Sequence, residues 1–398
     1  MKIIYLHQYF KKPSMSGGVR SYEFARRLVR DGHDVILVTS DTKNRFKSWK
    51  IENIDGIEVH WISVPYDNSY GVFSRLWAFF KFIFLATIHC AKIECDKVFA
   101  TSTPLTIVIP AILIKKIKGV PYLFEVRDVW PEVPIALGII NNKLLRCAAL
   151  WLEKLAYRNA SSIIALSTDM KKSILSRFPN SKVKVIPNAA DIELFDISKS
   201  DNNKDLVTSL KRIKNKHEFI VFYTGTFGLV NNLSYIIDLA SYSNGKVGFV
   251  IVGDGREKSS LEELAKKKGV LDSVLYFLGP VKKSELYIFH KYGDIACSTV
   301  LPIEELYANS ANKVFDAFAA GTPILINHGG WISELIDKTK CGIQLDETPS
   351  KKEFEDLYSY LSDRESLEKG RASSKLLGGS LYNRDILYAE FLKSIEGN

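Results

Sequence analysis

The chain has 398 residues, of which 46% are apolar and 25% charged; these are values of a globular protein with sizeable cores, and they exclude a disordered or fibrous chain. At about 100–200 residues per domain, two domains are expected. The net charge of +9 is uneven: residues 1–200 hold 29 Lys and Arg against 18 Asp and Glu and the remainder 25 against 27, so the first half is expected to meet something anionic, whether nucleic acid, anionic lipid or a pyrophosphate-linked substrate.

Taken in chain order, short apolar runs rich in Ile and Val predict strands at 2–9, 34–40, 59–64, 97–102, 122–126, 162–166 and 183–187. Continuous runs of this kind suit parallel strands covered on both faces. Helical patterns lie between several of them, at 20–31, 103–118, 143–159 and 168–178. The longest apolar stretch, 77–91, is broken by Lys81 and falls short of the roughly 20 residues that span a bilayer. Residues 3–6 are too few for the apolar core of a signal peptide, so neither a transmembrane segment nor a secretory leader is expected.

Residues 198–217 turn polar and basic and are expected to be an interdomain linker with some helix. A second alternating series follows, with strands at 219–224, 247–252, 274–278, 295–299, 323–327 and 342–345. Its helices are predicted at 233–241, 258–268, 284–291, 312–320, 332–338 and 352–361. This alternation predicts two doubly wound α/β domains, 1–197 and 218–378. A last amphipathic helix at 383–395 falls in a tail, 379–398, expected to cross back to the first domain. Five scattered cysteines without a Cys-x-x-Cys predict reduced thiols in the cytosol.

In such sheets ligands gather at the carboxyl ends of strands, and with two domains the cleft between them is the natural site. After the first strand come Ser16, Gly17 and Gly18, then a helix opening at Arg20, which make an anion-ready corner of free backbone N–H groups. The second half repeats this with Gly225-Thr226-Phe227-Gly228, Gly253-Asp254-Gly255 and Gly329-Gly330, which predicts nucleotide or phosphate binding. Ser310 or Asn312 is expected to cap the helix at 312–320. Lys313 then stands in its first turn, where a cation opposes the helix dipole and an anionic ligand would compensate it. Asp316, three residues on and on roughly the same face, suits ribose hydroxyls. Phe124–Pro134 sends Glu125, Arg127, Asp128, Trp130 and Glu132 off a strand end, where charges are costly unless paired or used. No Asp-x-Asp, His-x-His or Cys/His cluster has ligand spacing, so no protein-held metal is expected.

These segments together resemble the retaining family 4 glycosyltransferases of the GT-B fold, over nearly the whole chain. The resemblance rests on Gly17-Gly18, on Arg127-Asp128-Val129-Trp130-Pro131-Glu132, on Ile186–Asp191 with Phe195, and on Tyr223-Thr224-Gly225 with Gly228. It continues through Gly253-Asp254-Gly255 and Ser310–Asp316 to Ala320-Gly321, and is strongest to the O-antigen, capsule and colanic acid enzymes, including L-fucosamine transferases. It implies two Rossmann-like domains facing across a cleft, with a UDP-sugar donor and no metal or other cofactor. The implied acceptor is a polyprenyl-pyrophosphate-linked saccharide, at the inner face of a bacterial membrane with an anionic surface. Arg127, Asp128 and Lys313 would be catalytic. Gly17, Gly18, Arg20, Gly225, Thr226, Gly228, Gly253, Asp254, Gly255, Asn312 and Asp316 would bind substrate. The family's first acid of Glu-x7-Glu falls on Ala308, leaving Glu304 or Glu305 as its replacement. The usual Arg and Lys after Gly225 give way to Thr226 and Asn232, and the usual His before Asp128 is Arg127. A GDP- or ADP-sugar donor is the nearest alternative. A dinucleotide oxidoreductase would want a Gly-x-Gly-x-x-Gly, and a nucleic-acid binder an aromatic-basic platform; the chain has neither.

Overall fold

The computed structural model describes residues 1–15, 17–66 and 70–397, without the side chains of Val72 and Arg75. Ser16 of the expected glycine corner lies outside them. The chain divides into two compact units, residues 1–187 with 388–398, and residues 188–387.

Among the described residues the first unit is built on an eight-stranded sheet. Its strands are β1 (Lys2–Leu6), β2 (Asp34–Asp41), β3 (Lys50–Ile54), β4 (Ile57–Ser63), β5 (Lys97–Thr101), β6 (Tyr122–Val126), β7 (Ser162–Ala165) and β8 (Val183–Val185). They lie in the order β3-β4-β2-β1-β5-β6-β7-β8. All neighbours pair in parallel except β3 and β4. β3 was not among the expected strands. It forms a hairpin with β4 in which Ile54 faces Ile57 and Asp55 and Gly56 both turn at positive φ, 50° and 85°. A two-residue Asp-Gly loop favours this twist, and it was the available signal. β3 escaped the apolar pattern because it is an edge strand with mostly exposed or half-exposed side chains.

The second unit holds six parallel strands: β9 (Phe219–Thr226), β10 (Val247–Asp254), β11 (Leu275–Leu278), β12 (Ile295–Ser298), β13 (Ile324–Ile326) and β14 (Gly342–Gln344). Their order is β11-β10-β9-β12-β13-β14. Two apolar cores cover the sheet, one built around Phe222, Phe289, Phe315 and Phe318, the other around Tyr223, Phe249 and Leu357. The polar stretch read as a linker carries the helix Lys204–Lys214, whose Leu206, Val207, Leu210 and Ile213 are buried in the first of these cores. Its exposed face is basic, which is what the composition registered. The final helix, Arg384–Glu396, ends in the first unit, where Phe391 is wholly buried against Phe24 and Phe99 at ring separations of 4.6 and 5.1 Å.

The helix Val72–Ala91 presents Ala78, Phe82, Ala86 and Cys90, four residues apart, to the core. The remaining large apolar side chains stand out: Phe73 is 89% and Trp77 68% exposed, and Phe80, Phe84 and Ile88 are exposed as well. The neighbouring helices Val108–Lys118 and Lys143–Asn159 add Ile117, Leu144 (80% exposed) and Trp151 (62% exposed). No helix among the described residues is long and apolar enough to cross a membrane.

Candidate functional site

β9 is a central strand of the second sheet, between β10 and β12. The chain leaves its carboxyl end through Gly225, Thr226 and Gly228. Here Lys313 comes in from the first turn of the helix Asn312–Ala320. Its Nζ donates to Tyr223 Oη and to Asn231 Oδ1, both at 3.3 Å, and sits 4.3 Å from the centre of the Tyr223 ring. Tyr223 Oη and Asn231 Nδ2 in turn donate to the Thr226 carbonyl at 2.9 and 3.0 Å. Among the described residues the direct partners of the ammonium are therefore neutral oxygens. Burial pushes Lys313 down to about 8, against an upward pull from Cys297 and Asp316. A desolvated cation at the carboxyl edge of a parallel sheet, without a carboxylate against it, is suited to an anion. Tyr223 and Asn231 were not among the expected site residues. Asn232, which stands where the resemblance has a basic residue, turns at φ 46° and donates to the Val300 carbonyl at 3.2 Å.

The glycines separate by what surrounds them. A Cβ on Gly253 would stand 1.9 Å from the Gly225 carbonyl oxygen, and one on Gly255 2.4 Å from that of Phe227. Both are demanded by the packing of two loops on each other. Gly225 is required by Tyr223 Oη, 2.9 Å from where its Cβ would be. Gly228 differs: at φ −126° its backbone suits any residue, and its Cβ would meet nothing closer than 3.9 Å. Its bare backbone faces free space beside the Thr226 loop. Asp254 is exposed and its Oδ1 accepts from the Gly255 N–H at 2.8 Å.

The helix Asn312–Ala320 corrects one expectation: its N-cap is Ala311, and neither Ser310 nor Asn312 caps it. The Ser310 carbonyl instead accepts from Asn188 Nδ2 at 2.6 Å, and Asn312 is exposed. The amide end of the helix is left without a side-chain acceptor. Asp316 is buried and points away from Tyr223, towards Lys283 at 3.4 Å, with Asp191 and Arg384 nearby. Burial raises its carboxyl above the ordinary range. Glu304 and Glu305 are exposed on the short helix Glu304–Tyr307.

In the first unit the charges of β6 form a buried network. Glu125 is wholly buried. Its carboxylate accepts from Arg20 Nε at 2.8 Å, Arg127 Nε at 3.1 Å and Thr101 Oγ1 at 2.7 Å. Burial alone would raise Glu125; the two guanidiniums outweigh it and hold the carboxyl below its ordinary value. Arg20, expected at the ligand, is itself buried, and its terminal nitrogens donate to the carbonyls of Pro187 and Ile186. It closes the unit and is not presented to solvent. Arg127 is partly exposed, and its Nη2 donates to Ser21 Oγ at 2.9 Å. Asp128, Gly17 and Thr226 are exposed, and Gly17 turns at φ 128°. Beyond β1, His7 Nδ1 and Gln8 Oε1 are buried without a partner among the described residues. Burial holds the His7 imidazole well below its ordinary value, so it is neutral. Among the described residues no group of three or more His, Cys, Asp and Glu is placed to hold a metal ion.

Comparison with known proteins agrees with this architecture. Residues 17–189 match the model of the glycosyl transferase 4-like domain, and residues 208–375 that of the glycosyl transferases group 1. An uncharacterized glycosyltransferase of Methanocaldococcus jannaschii, MJ1607, is 27% identical over 83% of this chain and 82% of its own. The gpi3 subunit of phosphatidylinositol N-acetylglucosaminyltransferase from Schizosaccharomyces pombe is 27% identical over 70% of this chain and 56% of its own. WcaI of Escherichia coli, a putative colanic acid biosynthesis glycosyl transferase, is 22% identical over 65% and 67%. Among solved structures, sucrose-phosphate synthase of Thermosynechococcus elongatus superposes with a TM-score of 0.81 at 13% identity, over 100% of this chain and 98% of its own. Anabaena HepE in complex with UDP and glucose gives 0.70 at 18%, over 100% of both. The oxidoreductase alternative falls with these matches, for the chain belongs to the group 1 glycosyltransferases and has their GT-B fold of two Rossmann-like units.

Proposed function

We propose that this glycosyltransferase is a retaining enzyme that moves a sugar from a UDP-sugar to a lipid-linked saccharide in the synthesis of a bacterial surface polysaccharide. A transferred N-acetylhexosamine such as N-acetyl-L-fucosamine fits the resemblance noted above. The observation that carries the reading is Lys313, a desolvated ammonium among neutral oxygens at the carboxyl edge of β9. A leaving diphosphate supplies the charge this cation lacks, and stabilising that charge as it develops lowers the barrier. The donor phosphate then takes the acceptor proton, so the step needs positioning more than a protein nucleophile. The backbone beside Gly228 and the free amide end of the helix Asn312–Ala320 are further contacts for the phosphates. HepE, of like fold, binds UDP and glucose, and two of the relatives are named for a phosphatidylinositol substrate and for colanic acid. The decisive assay is nucleotide release from a panel of UDP-, GDP- and ADP-sugars, with and without EDTA. UDP-sugars should turn over fastest, and saturating chelator should leave the rate largely intact, because no ligand cluster exists among the described residues. Preference for GDP- or ADP-sugars would move the donor, and a collapse restored by Mg²⁺ or Mn²⁺ would refute metal independence.

The acceptor side is proposed to lie on the inner face of the cytoplasmic membrane. The exposed aromatic face of the helix Val72–Ala91 carries Lys81, and the helices Val108–Lys118 and Lys143–Asn159 contribute Lys115, Lys116, Lys118, Lys143 and Arg146 besides the exposed Leu144 and Trp151. Aromatic and basic residues together suit the interface of an anionic leaflet. Phosphatidylglycerol vesicles should sediment the protein at low salt and release it at high salt, since the basic contribution is screened. Absence of binding at low salt would reject membrane attachment and leave the transferase activity untouched.

A further inference from the structure

A groove of about 480 Å³ lies on the surface of the first unit, lined mainly by Val64, Pro65, Tyr70, Phe73 and Trp77, with Ser74, Ala78 and Lys81. Val64 and Pro65 follow β4, so the groove opens at the carboxyl edge of the sheet, the edge that in parallel sheets receives ligands. An aromatic path joins it to the end of β1. Tyr9 meets Tyr66 at a ring separation of 5.1 Å, and Tyr66 meets Tyr70 at 6.4 Å and Phe79 at 5.9 Å. Gln8 Nε2 donates to Tyr9 Oη at 3.3 Å, and in the same segment His7 Nδ1 and Gln8 Oε1 are buried without a partner among the described residues. The path is thus polar at one end, apolar at the other, and carries the ammonium of Lys81 at the apolar end.

We infer that the groove holds the first part of the hydrocarbon chain of an alkyl-phosphate acceptor, with Lys81 facing its phosphate and the polar end of the path facing its saccharide. The inference rests on the lipid-borne acceptor of the preceding reading and names where the lipid goes. One occupant fits the chemistry. Phe73 and Trp77 line the groove and also belong to the exposed apolar face, so the groove is continuous with that face. Lys81, the cation among the described residues that line the groove, matches a phosphate and has no use for an uncharged chain.

The test is calorimetric titration of the full chain with farnesyl phosphate below its aggregation concentration, with farnesol and inorganic phosphate as separate arms. Farnesyl phosphate should bind saturably, inorganic phosphate should not, and geranyl phosphate should bind more weakly, by ~fourfold for each methylene no longer buried. Trp77→Ala and the groove-filling Ser74→Trp, at an exposed lining residue, should each weaken farnesyl phosphate by about tenfold or more. Lys81→Ala should weaken farnesyl phosphate but not farnesol. UDP titration of the same samples reports folding of the second unit and keeps the two readings apart. Intact UDP binding with no farnesyl phosphate binding, or with equal binding by wild type, Trp77→Ala and Ser74→Trp, overturns the groove alone. Binding of farnesyl phosphate with no nucleotide bound overturns the transferase site and leaves the groove standing.

Discussion

Lys313→Ala should lower turnover by about two to three orders of magnitude, the effect of losing one preorganised electrostatic contact to a developing charge. The side chain is held in place by Tyr223 and Asn231, and its neighbours supply no countercharge in contact. The same geometry fixes a pH dependence. With the lysine lowered to about 8 by burial, the free enzyme loses the cation as pH rises through that value, so kcat/KM of the wild type should fall on the alkaline side. A bound diphosphate favours the ammonium, so kcat itself should hold to higher pH. The stability sign runs the other way. A lysine whose folded pKa is depressed binds its proton less readily than the unfolded chain does, so the charged form opposes folding, most fully below about 8. Lys313→Met should therefore melt no lower than wild type at pH 7 while being nearly inactive. Wild-type activity in Lys313→Ala would remove the lysine from the phosphate site.

Glu125→Ala should destabilise the first unit by about 3–5 kcal/mol, because it leaves the Arg20 guanidinium buried without its carboxylate. For a unit of this size that corresponds to a drop in melting temperature of ~10 °C or more. Glu125→Gln keeps the hydrogen-bond acceptor for Arg20 and loses only the charge, so it should fall between. Arg127 leans on the same carboxylate, at 3.1 Å, so both variants should also lower activity beyond what unfolding accounts for. Differential scanning calorimetry of the three proteins decides the matter: a Glu125→Ala variant melting within a degree or two of wild type would show that the network contributes nothing to the fold.

Of the charges in Phe124–Pro134, Glu125 and Arg127 are paired in a buried network and Asp128 is exposed. Charges at a strand end are visible in the sequence, but which of them finds a partner depends on other elements: Arg20, 105 positions from Glu125, arrives from the first helix and Thr101, 24 positions away, from β5. The glycines teach a similar distinction. Gly225, Gly228, Gly253 and Gly255 look alike as a glycine-rich pattern, yet three are required by close contacts and Gly228 alone of the four has room for a Cβ, at ordinary contact distance. Lys313 and Asp316 share a helix at a spacing that suggests one ligand. The fold turns them apart, the first to the end of β9 and the second to Lys283.

By itself the sequence determined the parallel strands of both sheets and the two-unit α/β architecture, because continuous Ile and Val runs flanked by helices can be satisfied only when both faces of a parallel sheet are covered. It also determined Lys313 as an ill-placed cation, since a lysine in a first helical turn opposes the dipole wherever the helix packs. Only the tertiary structure decided that the polar stretch before β9 carries a core helix, since four apolar residues on one face are outnumbered in composition and become a core only when a partner covers them. It likewise decided which face of the helix Val72–Ala91 is buried: the helix is apolar almost all round, so its periodicity names no inside, and the sheet beneath it takes Ala78, Phe82, Ala86 and Cys90 and leaves the aromatic side to solvent.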